Sequence, residues 1–204
     1  MKMIFTFALL GVALMVCGAC RRAHPAAMTF FVTSVGLGKG GDIGGLAAAD
    51  SHCAELARAA GASSRIWRAY LSKPSDESGD VVHAKDRIGE GPWVNVNGVQ
   101  IAANLAELHS VNQLKRSTSL TEKAQPVPHD ILTGSNEDGT LASGDSTCRG
   151  WRSQAGHAVL GHSDKQGLGT RPTSWNSAHF SDGCDLKSLS ATGGAGFFYC
   201  FALQ

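Results

Sequence analysis

At 204 residues and 21.3 kDa the chain is sized for one domain. Hydrophobic residues at 43% and charged residues at 17% support a packed core and exclude a disordered chain. Removing Lys2, Arg21 and Arg22, the only charges in residues 1–27, from the formal +1 leaves −2 from Met28 onward, which excludes a charge-driven nucleic-acid partner.

Residues 1–27 read as an export signal. Lys2 precedes an apolar run from Met3 to Ala19 that falls short of the roughly 20 residues of a spanning helix, so cleavage is expected rather than anchoring. Cys17-Gly18-Ala19-Cys20 is similar to a bacterial lipobox with Cys17 in the usual leucine position. Cleavage after Ala19 would leave Cys20 to carry a lipid, the single membrane contact expected, whereas cleavage near Ala26 or Ala27 would remove it. The expected location is periplasmic or secreted. Four cysteines then remain, Cys53, Cys148, Cys184 and Cys200. An even set in an oxidising compartment implies disulfides, with three pairings open.

Beyond the signal, residues 28–204 are expected to form one domain. Thr29–Ser34 is rich in β-formers and predicts a first strand, followed by a glycine-rich loop from Gly36 to Gly45. Ala49, Cys53, Leu56, Ala57 and Ala60 recur at helical spacing, which predicts a helix over Leu46–Ala60 ended by Gly61. Arg65–Leu71 alternates as a half-buried strand would. Pro92–Val96 and Val99–Ile101 flank Asn97-Gly98, a hairpin signal. Lys115–His129 is polar, carries Pro126 and Pro128, and predicts an exposed loop. Short strands are predicted at Asp130–Thr133, Thr147–Ser153, Ala158–Gly161 and Gly196–Leu203. One helix in front and many short strands behind make an α+β fold with long surface loops.

The motifs that suggest chemistry are incomplete. Gly36-Leu37-Gly38-Lys39-Gly40-Gly41 has dinucleotide-loop spacing, but the helix starts too late and no acid follows at the required distance. His157 and His162 lie five apart around a predicted strand and would face opposite sides, and no H-E-x-x-H occurs, so no metal site is expected. His52 is expected to be solvated. Gly161–Lys165 begins like a nucleophile elbow without its final glycine, and no catalysis is expected. Two polar clusters could meet a ligand. Ser135-Asn136-Glu137-Asp138-Gly139 offers oxygens on a turn, with Asp138-Gly139 expected at its tip. Ser174-Trp175-Asn176-Ser177 sets an amide beside an indole, which is expected to belong to the core.

Several segments together resemble the endostatin-like branch of the C-type-lectin-like fold, including bacterial exported lectin-like proteins. They are Gly44–Cys53, Trp67–Ser72, Asp86-Arg87, Pro92–Asn95, Leu132–Thr140, Cys148–Arg152 and Phe198–Phe201, in the same order and spanning Thr29 to Gln204. The resemblance implies nested disulfides, Cys53–Cys200 and Cys148–Cys184. It also raises calcium, but the usual ligand triplets are incomplete. Gln125-Pro126 is followed by Val127 and Trp175-Asn176 by Ser177, so no cofactor is expected. Heparin binding would need an arginine cluster. Arg58, Arg65, Arg68 and Arg87 are present, but the acidic balance of the exported part opposes a strong polyanion site.

The expected function is an exported lectin-like domain that binds a glycan or cell-envelope ligand without catalysis. Asn136, Glu137, Asp138, Asp164, Trp175 and Asn176 are the candidate ligand-binding residues. The alternative is a protein-interaction or structural module on the same scaffold, with an envelope or extracellular protein as partner and no sugar site.

Overall fold

The structure is a computed structural model that describes residues 27–75, 79–167 and 173–203. The expected export signal, including Cys17 and Cys20, lies outside the described residues except for its last position. Among the described residues there are eight strands: β1 Phe30–Val32, β2 Trp67–Ala69, β3 Trp93–Val94, β4 Gln100–Ala102, β5 Asp130–Leu132, β6 Val159–His162, β7 His179–Phe180 and β8 Gly194–Ala202. Right-handed α-helices accompany them at α1 Leu46–Ala59, α2 Leu105–Leu108 and α3 Leu186–Ala191. The fold is α+β around a mixed six-stranded sheet, with β3 and β4 forming a separate hairpin.

β8 organises the sheet. Its second half pairs antiparallel with β1 and with β2, both registered against Cys200 and Phe201, so the two take opposite edges. Its first half pairs parallel with β5, and β6 and β7 continue outward from β5. Successive side chains of a strand face opposite ways, and both faces of β8 are covered. Phe198, Cys200 and Ala202 join one core with Phe31, Trp67, Leu132, Leu160 and the α1 residues Ala49, Cys53 and Ala57. Tyr199 and Phe201 join a second core with Phe30, Val32, Tyr70, Trp93, Leu108 and Trp175. Burial on both faces explains why β1 and β8 are almost continuously apolar rather than alternating.

α1 is ended at Gly61, whose φ of +88° is the left-handed conformation glycine adopts without a Cβ penalty. Cys53 bonds Cys200, tying α1 to β8, and Cys148 bonds Cys184 within the second half. These crosslinks suit an oxidising, extracytoplasmic environment. Among the described residues, no helix is long and apolar enough to cross a membrane.

Three expectations are corrected. Thr147–Ser153 is not a strand: Cys148–Trp151 makes one helical turn in which φ runs +49°, +55°, +70° and +66°, a left-handed winding. That winding costs non-glycine residues roughly 1–2 kcal/mol each. Tertiary contacts hold it: the Cys148–Cys184 bond, the Trp151 Nε1 bond to the Ser72 carbonyl, and the Trp151 carbonyl accepting from the amides of Ile43, Gly44 and Gly45.

Lys115–His129 is not uniformly exposed. Thr118 to Glu122 are buried, with the Leu120 carbonyl accepting from Val32 beside β1. The Glu122 carboxylate accepts from the Ser34 amide and hydroxyl, which is how a polar segment is buried without unmet hydrogen bonds. His52 is buried rather than solvated and bonds the Val35 carbonyl. The glycine-rich loop serves packing. A Cβ on Gly41 would come within 2.3 Å of Cys148 Sγ, so the loop lies directly on the inner disulfide.

Candidate functional site

The Ser135–Leu141 segment closes as a tight turn. Asn136 donates its amide to the Thr140 carbonyl at 2.8 Å and accepts from Gly139 at 2.9 Å. Asp138 caps it, accepting from the Thr140 hydroxyl and amide, and these two bonds hold its carboxyl below the usual range. Asp138-Gly139 is therefore at the tip of a turn, as expected. Asn176, fully buried, joins this turn to the 174–177 segment. Its amide nitrogen donates to Tyr70 Oη and to the carbonyls of Asn136 and Glu137, while its oxygen accepts from the Ser174 hydroxyl.

Trp175 is buried, as the core reading expects, with its ring packed on Tyr70 and Tyr199 and its carbonyl accepting from Tyr199 Oη. β6 passes directly against this segment. A Cβ on Gly161 would stand 1.8 Å from the Trp175 carbonyl oxygen, so only glycine fits there.

Between this turn, the end of α2 and the 173–178 segment lies a cleft of about 410 Å³. Its lining includes His109, Asn112, Glu137, Lys165, Ser174 and Trp175. Its polar wall is internally ordered. His109 Nδ1 faces the Leu105 carbonyl at 2.9 Å, which can only accept, so Nδ1 carries the proton and Nε2 accepts from Tyr70 Oη at 2.8 Å. Burial, above all, lowers the His109 pKa and raises that of Tyr70, keeping both neutral. Lys165 Nζ donates to the carbonyl and side-chain oxygens of Asn112 at 3.1 and 3.2 Å. Burial, then the charge of Lys115, lowers its pKa. The cleft thus sets one carboxylate and one ammonium among amides and hydroxyls, with the buried Trp175 in its wall.

Of the six candidate residues, Glu137, Trp175 and Asn176 line the cleft. Asn136 and Asp138 stand on the turn that presents Glu137. Asp164 belongs elsewhere: it accepts from His129 Nδ1 at 2.9 Å and from the Gln166 amide, with Arg116 at 3.8 Å. No sequence signal pointed to His109, Asn112 and Lys165 as cleft residues. They follow α2 and β6, and only the fold brings them to the turn.

The cleft does not fit calcium, which takes six to eight oxygens. Glu137 is the one carboxylate among its lining residues, and the Asn176 side chain is committed to Ser174, Tyr70 and the turn. Two of the four arginines weighed for polyanions, Arg68 and Arg87, converge on Asp50. A different set, His129, Asp130 and His162, places its ligand atoms within 4.8 Å of one another. His157, the partner considered for His162, instead bonds the Ser181 carbonyl. No known protein family matches the chain, and no curated protein is similar to it at a significant level.

Proposed function

We propose that the chain is an extracytoplasmic, C-type-lectin-like binding domain. It takes a polyhydroxylated ligand, a glycan or another component of the cell envelope, in the cleft beneath the 136–139 turn. The observation that carries this reading is the cleft itself. Its fixed donors and acceptors around one carboxylate and one ammonium suit the hydroxyls of a sugar. The two disulfides and the α+β architecture support the resemblance from which the lectin-like scaffold is inferred. The domain binds through preorganised side chains, and no catalytic step is assigned to it.

A glycan array probed with the disulfide-intact protein tests the proposal. Binding to a defined subset of glycans is expected, and removing calcium with a chelator leaves it unchanged. Glu137→Ala and Lys165→Ala, each deleting a charged hydrogen-bonding group, weaken it about tenfold or more while the thermal melt stays cooperative. A folded protein that binds no glycan, or variants that bind as tightly as the parent, would refute the assignment.

A further inference from the structure

The strand register assembles a cluster that sequence spacing hides. Asp130 of β5 lies directly opposite His162 of β6, and Leu160, two residues earlier on β6, lies opposite His179 of β7. Asp130, His162 and His179 therefore share one face of three adjacent strands. His129, just before β5, brings its ring to 3.8 Å from that of His162.

Three Nε2 atoms surround one oxygen. Asp130 Oδ1 is 3.3 Å from His162 Nε2, 3.5 Å from His179 Nε2 and 3.9 Å from His129 Nε2. The Asp130 side chain is 0% exposed, and no hydrogen bond of good geometry reaches either of its oxygens or His162 Nε2; His179 and Thr192 are close enough to favour its charged form. A buried carboxylate in that condition is costly, so the arrangement needs a compensating charge.

The outer bonds of the imidazoles fix which nitrogen is free. His129 Nδ1 faces the Asp164 carboxylate, His162 Nδ1 the Gln166 carbonyl and His179 Nδ1 the Phe180 carbonyl. Each of these oxygens accepts, so each Nδ1 carries a proton, and in the neutral ring each Nε2 presents its lone pair to the cluster. With the rings neutral, three lone pairs and a carboxylate oxygen converge, and a metal ion among them relieves their repulsion. Metal-bound histidines characteristically donate their other N–H to a carboxylate or carbonyl, as all three do here.

We propose that His129, Asp130, His162 and His179 bind one transition-metal dication, zinc first among them, at a site independent of the cleft. Four donors each about 2.0–2.1 Å from a tetrahedral zinc stand roughly 3.3 Å apart. Asp130 Oδ1 lies 3.3 Å from His162 Nε2 and 3.5 Å from His179 Nε2, and the ligand atoms of His129, Asp130 and His162 fall within 4.8 Å of one another. Binding therefore draws the His129 ring in from 3.9 Å and swings His179 toward the other two imidazoles. Three imidazoles and one carboxylate suit zinc, nickel or copper and not calcium or magnesium. His129 and His179, about a third exposed, leave an entry path. The bound ion clamps the short edge strand β7 to β6 and β5.

The test uses disulfide-intact protein stripped with a chelator and titrated with zinc by calorimetry, with cobalt as a spectroscopic substitute. The expected result is one ion per chain, a higher melting temperature and the visible absorption bands of tetrahedral cobalt. His179→Ala, on the accessible edge strand, weakens zinc binding by more than the roughly 10–100-fold that follows loss of an outer-sphere partner. Asp164→Asn, which removes the charge from the acceptor on His129 while also touching Gln166 and Arg116, weakens it by about 10–100-fold. His157→Ala, outside the cluster, leaves it unchanged. Circular dichroism checks that each variant is folded. A folded parent protein that binds no zinc overturns the proposal. So does a His179→Ala variant that binds as tightly as the parent, or a His157→Ala variant that loses zinc to the same extent.

Discussion

Hydrogen bonds in the cleft wall run in one direction, from the Asn176 amide to Tyr70 Oη, from Tyr70 Oη to His109 Nε2, and from His109 Nδ1 to the Leu105 carbonyl. A second proton on His109 would set two donors against each other at Nε2, in a place where burial already lowers its pKa. Between that lowered value and the ordinary 6.5 the unfolded chain holds a proton that the folded chain does not. Stability therefore falls as pH drops below about 6.5 and levels off once the folded imidazole is protonated. Urea unfolding at stepped pH, parent against His109→Gln, checks this. The glutamine variant is expected to have the shallower acid slope, and identical slopes would contradict the assignment. Asn176 apart, this wall was not legible in the sequence, because a histidine four residues after Leu105 signals a helix turn and not a tyrosine 39 positions away.

At the scale of elements, Asp50 locks α1 to β2 and to the 3-10 turn Ala84–Arg87. Its carboxylate accepts from the Ala69 amide at 2.9 Å and from Arg87 Nη2 at 2.9 and 2.8 Å, while Arg87 Nη1 donates to the Ala69 carbonyl. Both side chains are largely buried, Arg87 at 10% and Asp50 at 16% exposure. Asp50→Ala strands the guanidinium and is expected to cost about 3–5 kcal/mol in chemical denaturation. A loss below about 1 kcal/mol would mean that water reaches Arg87 freely.

Elements whose cause is local were legible. α1 follows from the spacing of Ala49, Cys53 and Ala57, and the β3–β4 hairpin from Asn97-Gly98. The Cys148–Trp151 turn was not, since its left-handed winding is imposed by a disulfide partner and by Ser72, far away in the chain. The buried stretch around Glu122 misled for a related reason: its polar residues find partners on Ser34, which composition cannot reveal. The histidine cluster draws on three strands, so no spacing within one segment announces it.

For the molecule as a whole, the nested crosslinks span 147 and 36 residues. Chain-entropy reasoning assigns about 5 kcal/mol to the outer and about 4 kcal/mol to the inner. Replacing Cys53 and Cys200 together by alanine is therefore expected to lower the urea midpoint more than replacing Cys148 and Cys184. The opposite order would point to enthalpic support of the left-handed turn as the larger effect. The resemblance supplied this pairing, which composition alone left as one of three.

Among the described residues β8 follows every other strand, yet β1 and β2 pair in the sheet with it alone, and β5, which also pairs β6, takes its other neighbour from it. β1 and β2 therefore wait for a distant segment, and contacts this far apart in sequence form slowly. Until the tail arrives, Phe30, Phe31 and Trp67 stay open to chaperones and to one another. Closure of the sheet thus waits on β8.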